Sequence, residues 1–160
     1  MGKKILIVYY STTSHTREVA ELIQKTVGGD LASIRTKEPY SEKIEDKIAQ
    51  GYRKVNSVCT PELNDFPVDI KKYDTIFLGT PVWRYTIAPA MKCFLESHDV
   101  SGKVIYPFVT GEESAGHALT HFAAYVGDCF VKSGLYVRFG NFGIMTNEKQ
   151  IENWAKDALQ

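Results

Sequence analysis

Apolar residues in this chain gather in short unbroken runs, and the stretches between the runs carry them at helical spacing. Ile5-Leu6-Ile7-Val8-Tyr9 contains no charged residue, as expected of a parallel strand covered on both faces. Similar runs at 31–36, 75–79, 104–110 and 135–139 predict four more strands. Val19, Ile23 and Val27 recur on one helical face with Ala20 and Leu22 beside them, and Gly28-Gly29 predicts the stop. Ile87, Ala90, Met91, Phe94 and Leu95 form a second stripe, with Pro89 near its start. Leu119, Phe122, Val126 and Phe130 form a third, and a last helix is expected over about 148–159. Five strands alternating with helices imply right-handed crossovers and an α/β doubly wound parallel sheet with helices on both faces. A ligand then binds off the carboxyl ends of the strands.

Composition narrows the class. A chain of 160 residues suits one domain, 1–160, with a substantial core, and 44% hydrophobic residues suit a soluble globular protein. Lys plus Arg and Asp plus Glu number 19 each, which removes electrostatic attraction to nucleic acid or to an anionic membrane as a basis for function. No apolar run approaches membrane-spanning length, and Met1-Gly2-Lys3-Lys4 leads into the first strand without a signal-peptide pattern, so a cytoplasmic location is expected. Cys59, Cys93 and Cys129 are odd in number and widely spaced, which argues against a disulfide framework or a zinc site; Cys93 and Cys129 read as helix packing residues. Residues 37–72 are densely charged with both signs, and a helix is expected over about 41–55.

The candidate chemistry lies in the loops. Between the first strand and the first helix stand Ser11, Thr12, Thr13, Ser14, His15 and Thr16. A hydroxyl-rich turn at a helix N-terminus aims unpaired N–H groups, hydroxyls and the positive end of the helix dipole at one point, which is the chemistry of a phosphate cradle. One hydroxyl would suffice as an ordinary cap. The turn lacks the glycines of G-x-G-x-x-G, and no G-x-x-x-x-G-K-[ST] occurs; Gly111 and Gly116 have that glycine spacing but are followed by His117. A phosphatase would need a Cys in the loop and a phospho-acceptor domain an acid, and neither is there.

Two further loops leave the same edge of the sheet. The second, after the third strand, holds Thr80, Pro81, Val82, Trp83, Arg84 and Tyr85; the third, after the fourth strand, holds Thr110, Gly111, Glu112, Ser114 and Gly116. Two aromatic residues in one loop facing permissive glycines in another would form a slot for a flat conjugated ring, unless Trp83 and Tyr85 instead cover the core. A phosphate site together with such a slot suggests FMN.

At these residues the chain resembles the flavodoxins, through a G-x-P-[IV]-W segment after the third strand and T-x-E-x-S-x-G after the fourth. The phosphate motif [ST]-x-T-G-x-T falls on residues 11–16, with Ser14 in place of Gly. If that position needs a positive φ, Ser14 carries strain. The resemblance spans nearly the whole chain and implies strand order 2-1-3-4-5. It also implies an FMN whose ribityl chain and one ring face border Thr80 to Tyr85 and whose ring edge borders Thr110 to Gly116, with Trp83 or Tyr85 stacked on it. Arg84 then either lies near flavin N1 and O2 and raises the potential, or points to solvent. His15 either adds a bond or charge to the phosphate or faces water. His117 and His121, at i and i+4, lack a third ligand by spacing, and no metal is expected.

The resemblance implies an electron-transfer flavoprotein that shuttles electrons between redox partner proteins, with no catalytic side chain of its own and a monomer favoured. The alternative is an NAD(P)H-dependent FMN reductase of quinones or similar small molecules. A non-redox binding module is the third reading, in which Ser14 marks the loss of flavin binding.

Overall fold

A computed structural model describes residues 3–37 and 61–160. The expected helix over 41–55, and Cys59, lie outside the described residues.

The chain begins with strand β1 (Ile5–Tyr9), followed by α1 (His15–Val27) and β2 (Asp30–Ser33). Beyond the gap come β3 (Thr75–Trp83), a two-residue strand β4 (Thr86–Ile87) and helix α2 (Pro89–Ser97). Then follow β5 (Val104–Gly111), α3 (Ala118–Val126) and the short β6 (Phe130–Val131). The chain closes with β7 (Leu135–Gly140), β8 (Gly143–Ile144), α4 (Glu148–Lys156) and a 3-10 turn (Asp157–Leu159).

The path across the sheet is β2-β1-β3-β5-β7-β8. Its first five members pair in parallel, which is the expected 2-1-3-4-5 once the short strands are set aside. Three short strands were not anticipated: β4 and β8 fold back antiparallel on β3 and β7, and β6 pairs with the start of β5.

Alternate residues of each central strand feed two cores. Leu6, Val8, Ile76, Leu78, Ile105 and Val109 pack with Met91 and Phe94 of α2 and Phe122 of α3. Ile5, Ile7, Phe77, Phe108 and Val137 pack on the other side with Val19 and Ile23 of α1 and Ile151 and Ala155 of α4. This period of two explains why the strands read as continuous apolar runs.

Four expectations need correcting. The second strand ends at Ser33 rather than at residue 36, and Thr36 instead forms an isolated antiparallel bridge with Leu63. The third helical stripe stops at Val126, because Gly127 turns left-handed (φ 70°) and ends the helix. Phe130 is therefore two-thirds exposed on β6. Cys129 consequently lies beyond the helix, half-buried and unbridged, its thiol donating to the Val100 carbonyl at 3.1 Å. Cys93 is buried in α2 as expected but is disulfide-bonded, which the odd number and wide spacing of the cysteines did not predict. No helix among the described residues is long and apolar enough to cross a membrane.

Candidate functional site

Parallel pairing brings the carboxyl ends of β1, β3 and β5 to one edge. Tyr9 lies beside Gly79 in the register and Pro81 beside Thr110. The chain leaving β1 is pinned to β3, with the Tyr10 N–H donating to the Gly79 carbonyl at 2.9 Å. All three predicted loops therefore open on the same edge.

In the first loop, Ser14 is the N-cap of α1 with φ 45° and ψ −7°, and its side chain makes no capping bond. The strain expected of Ser at this glycine position is present, at a cost of about 1–2 kcal/mol for a left-handed L-residue. Thr12, Thr13 and Ser14 are exposed, while the Ser11 Oγ is buried without a hydrogen-bond partner. His15 is half-buried, and its ring stacks on Phe139, 4.1 Å between centroids and 12° from parallel. Thr16 is buried, its hydroxyl 2.8 Å from that of Thr110, so first and third loops share a hydrogen bond inside the protein. Of the six residues, Ser11 to Ser14 offer side-chain hydroxyls to a ligand, while His15 and Thr16 open α1 and offer its first N–H groups.

The second loop is a tight hairpin. Trp83 pairs with Thr86 and Val82 with Ile87, leaving Arg84 and Tyr85 as its two-residue turn. Both are left-handed, at φ 47° and 67°. A two-residue turn that matches strand twist demands this, and normally recruits Asn and Gly. The indole of Trp83 is turned into the core, 8% exposed and edge-on to Tyr10 at 6.0 Å, whereas Tyr85 is 65% exposed. Arg84 is exposed. Thr80 is fully buried; its hydroxyl accepts from the Ala88 N–H and donates to the Pro81 carbonyl, both at 3.1 Å, fixing the entry to α2. Pro81 and Val82 are half-buried beneath the turn.

The third loop grips the second. Gly116 has φ 54°, and a Cβ placed on it would stand 2.7 Å from the Tyr85 Cα and Cβ. Only glycine permits both the conformation and the approach. The His117 N–H donates to the Tyr85 carbonyl at 2.7 Å, and the His121 Nδ1 lies 2.6 Å from the Thr86 hydroxyl. Of the two histidines raised as metal ligands, His121 meets the hairpin through its ring and His117 only through its backbone, and among the described residues no group of three or more His, Cys, Asp or Glu could hold a metal ion. Glu112 and Ser114 are exposed; the Glu112 carbonyl accepts from the Arg138 Nε at 2.9 Å, and the Ser114 Oγ accepts from the Gly116 N–H at 3.3 Å. Gly111 backs onto Tyr136, whose hydroxyl is buried without a partner and whose acidity burial suppresses.

A cavity of about 570 Å³ opens at the hydroxyl turn. Ser11, Thr12 and Ser14 line it together with Arg17 of α1 and Arg35 and Asn64 near the end of β2. The two arginines were not anticipated, because nothing in linear spacing brings residue 35 beside residue 17. A faint signal existed at Arg17 alone, since a cation in the first turn of a helix opposes the helix dipole.

These residues fit a phosphate monoester. The first N–H groups of α1 have no intrahelical acceptor, the exposed hydroxyls adjoin them, and Ser11 offers a buried hydroxyl lacking a partner. No residue of the second or third loop lines this cavity; Tyr85 stands exposed on the neighbouring hairpin.

Known proteins share this fold. A protein from Bacteroides eggerthii assigned to the flavoproteins is 28% identical, with a TM-score of 0.78 over 98% of both chains. A flavoprotein from Lactobacillus acidophilus, solved in complex with FMN, has a TM-score of 0.72 at 21% identity over 96% of this chain and 99% of that one. A WrbA-like flavodoxin from Agrobacterium tumefaciens has a TM-score of 0.62 at 18% identity over 98% and 95%. Among curated proteins, the minor allergen Alt a 7 of Alternaria alternata is 32% identical over 106 residues, 64% of this chain; the match spans about half, 48%, of the allergen's length. The family model described as Flavodoxin matches residues 4–157, and the chain belongs to the flavodoxin family.

Proposed function

We propose that this protein binds FMN and passes electrons between redox partner proteins. Ser11 to Ser14 would hold the phosphate, and the Arg84–Tyr85 turn and the loop from Thr110 to Gly116 would border the ring. The observation that carries this reading is the closure of the second loop by the third, through Gly116 and His117, beside a hydroxyl turn whose Ser11 hydroxyl has no partner. Exposure favours Tyr85 over Trp83 as the stacking residue, and it favours a solvent-facing Arg84.

When bound, FMN supplies one- and two-electron chemistry. The protein's own part is to hold the phosphate, present one ring edge and keep the backbone of the two ring loops in place. Titrating the apoprotein with FMN while following flavin fluorescence tests the reading: stoichiometric quenching is expected, and an unchanged signal overturns it.

The alternative is an NAD(P)H-dependent reductase of quinones or similar small molecules. One observation favours it: with 19 basic and 19 acidic residues, the protein has no overall charge to steer it toward a protein partner. Oxidation of NADPH with a quinone in the absence of any reductase would select the enzyme. Flavin reduction only when a reductase is added would select the carrier.

A further inference from the structure

The cavity at the hydroxyl turn carries more charge than a hydroxyl cradle needs. Its lining includes Arg17 and Arg35, and no carboxylate stands among the described residues that form it. The two residues come from different elements, α1 and the segment after β2, and line one cavity because β1 and β2 pair in parallel. Each is loosely held. The Arg17 Nε faces Glu21 at 3.5 Å, with both side chains 55% exposed, a pairing worth little. The Arg35 Nε donates to the Ser33 hydroxyl at 3.2 Å.

Like charges facing one cavity repel, and Arg17 also sits in the first turn of α1, where the helix dipole opposes a cation. An anion in the cavity removes both penalties. Ser11 and Ser14, which line the same cavity, belong to the turn that would hold the flavin phosphate.

We propose that Arg17 and Arg35 make the phosphate end of this site a cationic clamp, which holds the FMN phosphate as a dianion and sets the preference for FMN over riboflavin. The inference rests on the FMN reading above and adds to it a charge-based specificity. Hydroxyls and N–H groups alone would bind the phosphate with little dependence on salt. Two guanidinium groups would make the affinity fall as screening rises, and only for the phosphorylated flavin.

The test compares FMN and riboflavin binding by fluorescence quenching in the wild type, Arg17→Gln, Arg35→Gln and Arg17→Lys, with a melting curve for each variant. Ionic strength is varied from about 0.01 to about 0.15 M, over which the screening length falls from about 30 to about 8 Å. The clamp predicts that each Gln variant loses about tenfold in FMN affinity at low salt. It also predicts unchanged riboflavin affinity, a flattened salt dependence, and substantial recovery in Arg17→Lys. The proposal is overturned if the Gln variants bind FMN as the wild type does, or if they lose FMN and riboflavin equally, which would mark a structural role. Wild-type protein that binds riboflavin and FMN alike, without salt dependence, overturns the clamp but leaves a flavin site standing. Wild-type protein that binds neither flavin overturns both readings.

Discussion

Two places at the carboxyl edge of the sheet hold non-glycine residues in left-handed backbone, and they are supported in opposite ways. At the hydroxyl turn, Ser14 stands alone with φ 45° and no side-chain bond to its own helix. At the hairpin, Arg84 and Tyr85 are strained together, but the third loop and the start of α3 hold Tyr85 and the adjoining Thr86. His117 binds the Tyr85 carbonyl, His121 meets Thr86, and Gly116 lies against Tyr85. Strain persists where surroundings over-determine it. The hairpin has such surroundings within the protein, whereas the hydroxyl turn has an open cavity where they would be. The difference suggests a ring wall that is built in advance and a phosphate turn that a ligand completes.

The contrast can be broken most forcefully at Gly116. Gly116→Val places a β-branched side chain where φ is 54° and Tyr85 stands 2.7 Å from a Cβ. Destabilisation of about 2–4 kcal/mol is expected in chemical denaturation, together with weakened flavin quenching. An unchanged denaturation midpoint would mean that the third loop does not press on the second.

A milder break is His121→Ala, which removes the partner of the Thr86 hydroxyl. A loss of about 1 kcal/mol in stability is expected. Tyr85 should also become more mobile, raising the residual fluorescence of bound flavin, and His121→Asn should restore part of the quenching. If both variants match the wild type in residual fluorescence, the histidine does not position the hairpin.

The smallest effect is expected at Ser14, and it has the opposite sign. Ser14→Gly relieves left-handed strain of about 1–2 kcal/mol while costing about 0.5–1 kcal/mol in chain entropy, so the apoprotein should gain about 0.5–1 kcal/mol. Thermal denaturation of the apoprotein measures it. A lower melting temperature would show that the Ser14 side chain makes a contribution its geometry does not reveal.

The continuous runs at Ile5–Tyr9 and Val104–Gly111 made the sheet legible, because only a strand buried on both faces dispenses with polar alternation. The strain at Ser14 was legible too, as a serine in a motif position otherwise held by glycine. The Arg84–Tyr85 hairpin was not, since neither residue carries the turn chemistry that a two-residue loop usually displays. The end of α3 was missed because Phe130 continues the helical stripe that Gly127 interrupts. Arg17 and Arg35 were missed for a different reason. Their place in one cavity depends on which strands are neighbours, information that spacing along the chain does not carry.

One edge of the sheet that carries the site ends in a two-residue strand, β8, folded back through left-handed Gly143. Such a stub presents too few unpaired N–H and C=O groups to template the addition of another chain. At this edge a second copy of the chain therefore finds almost no backbone with which to extend the sheet.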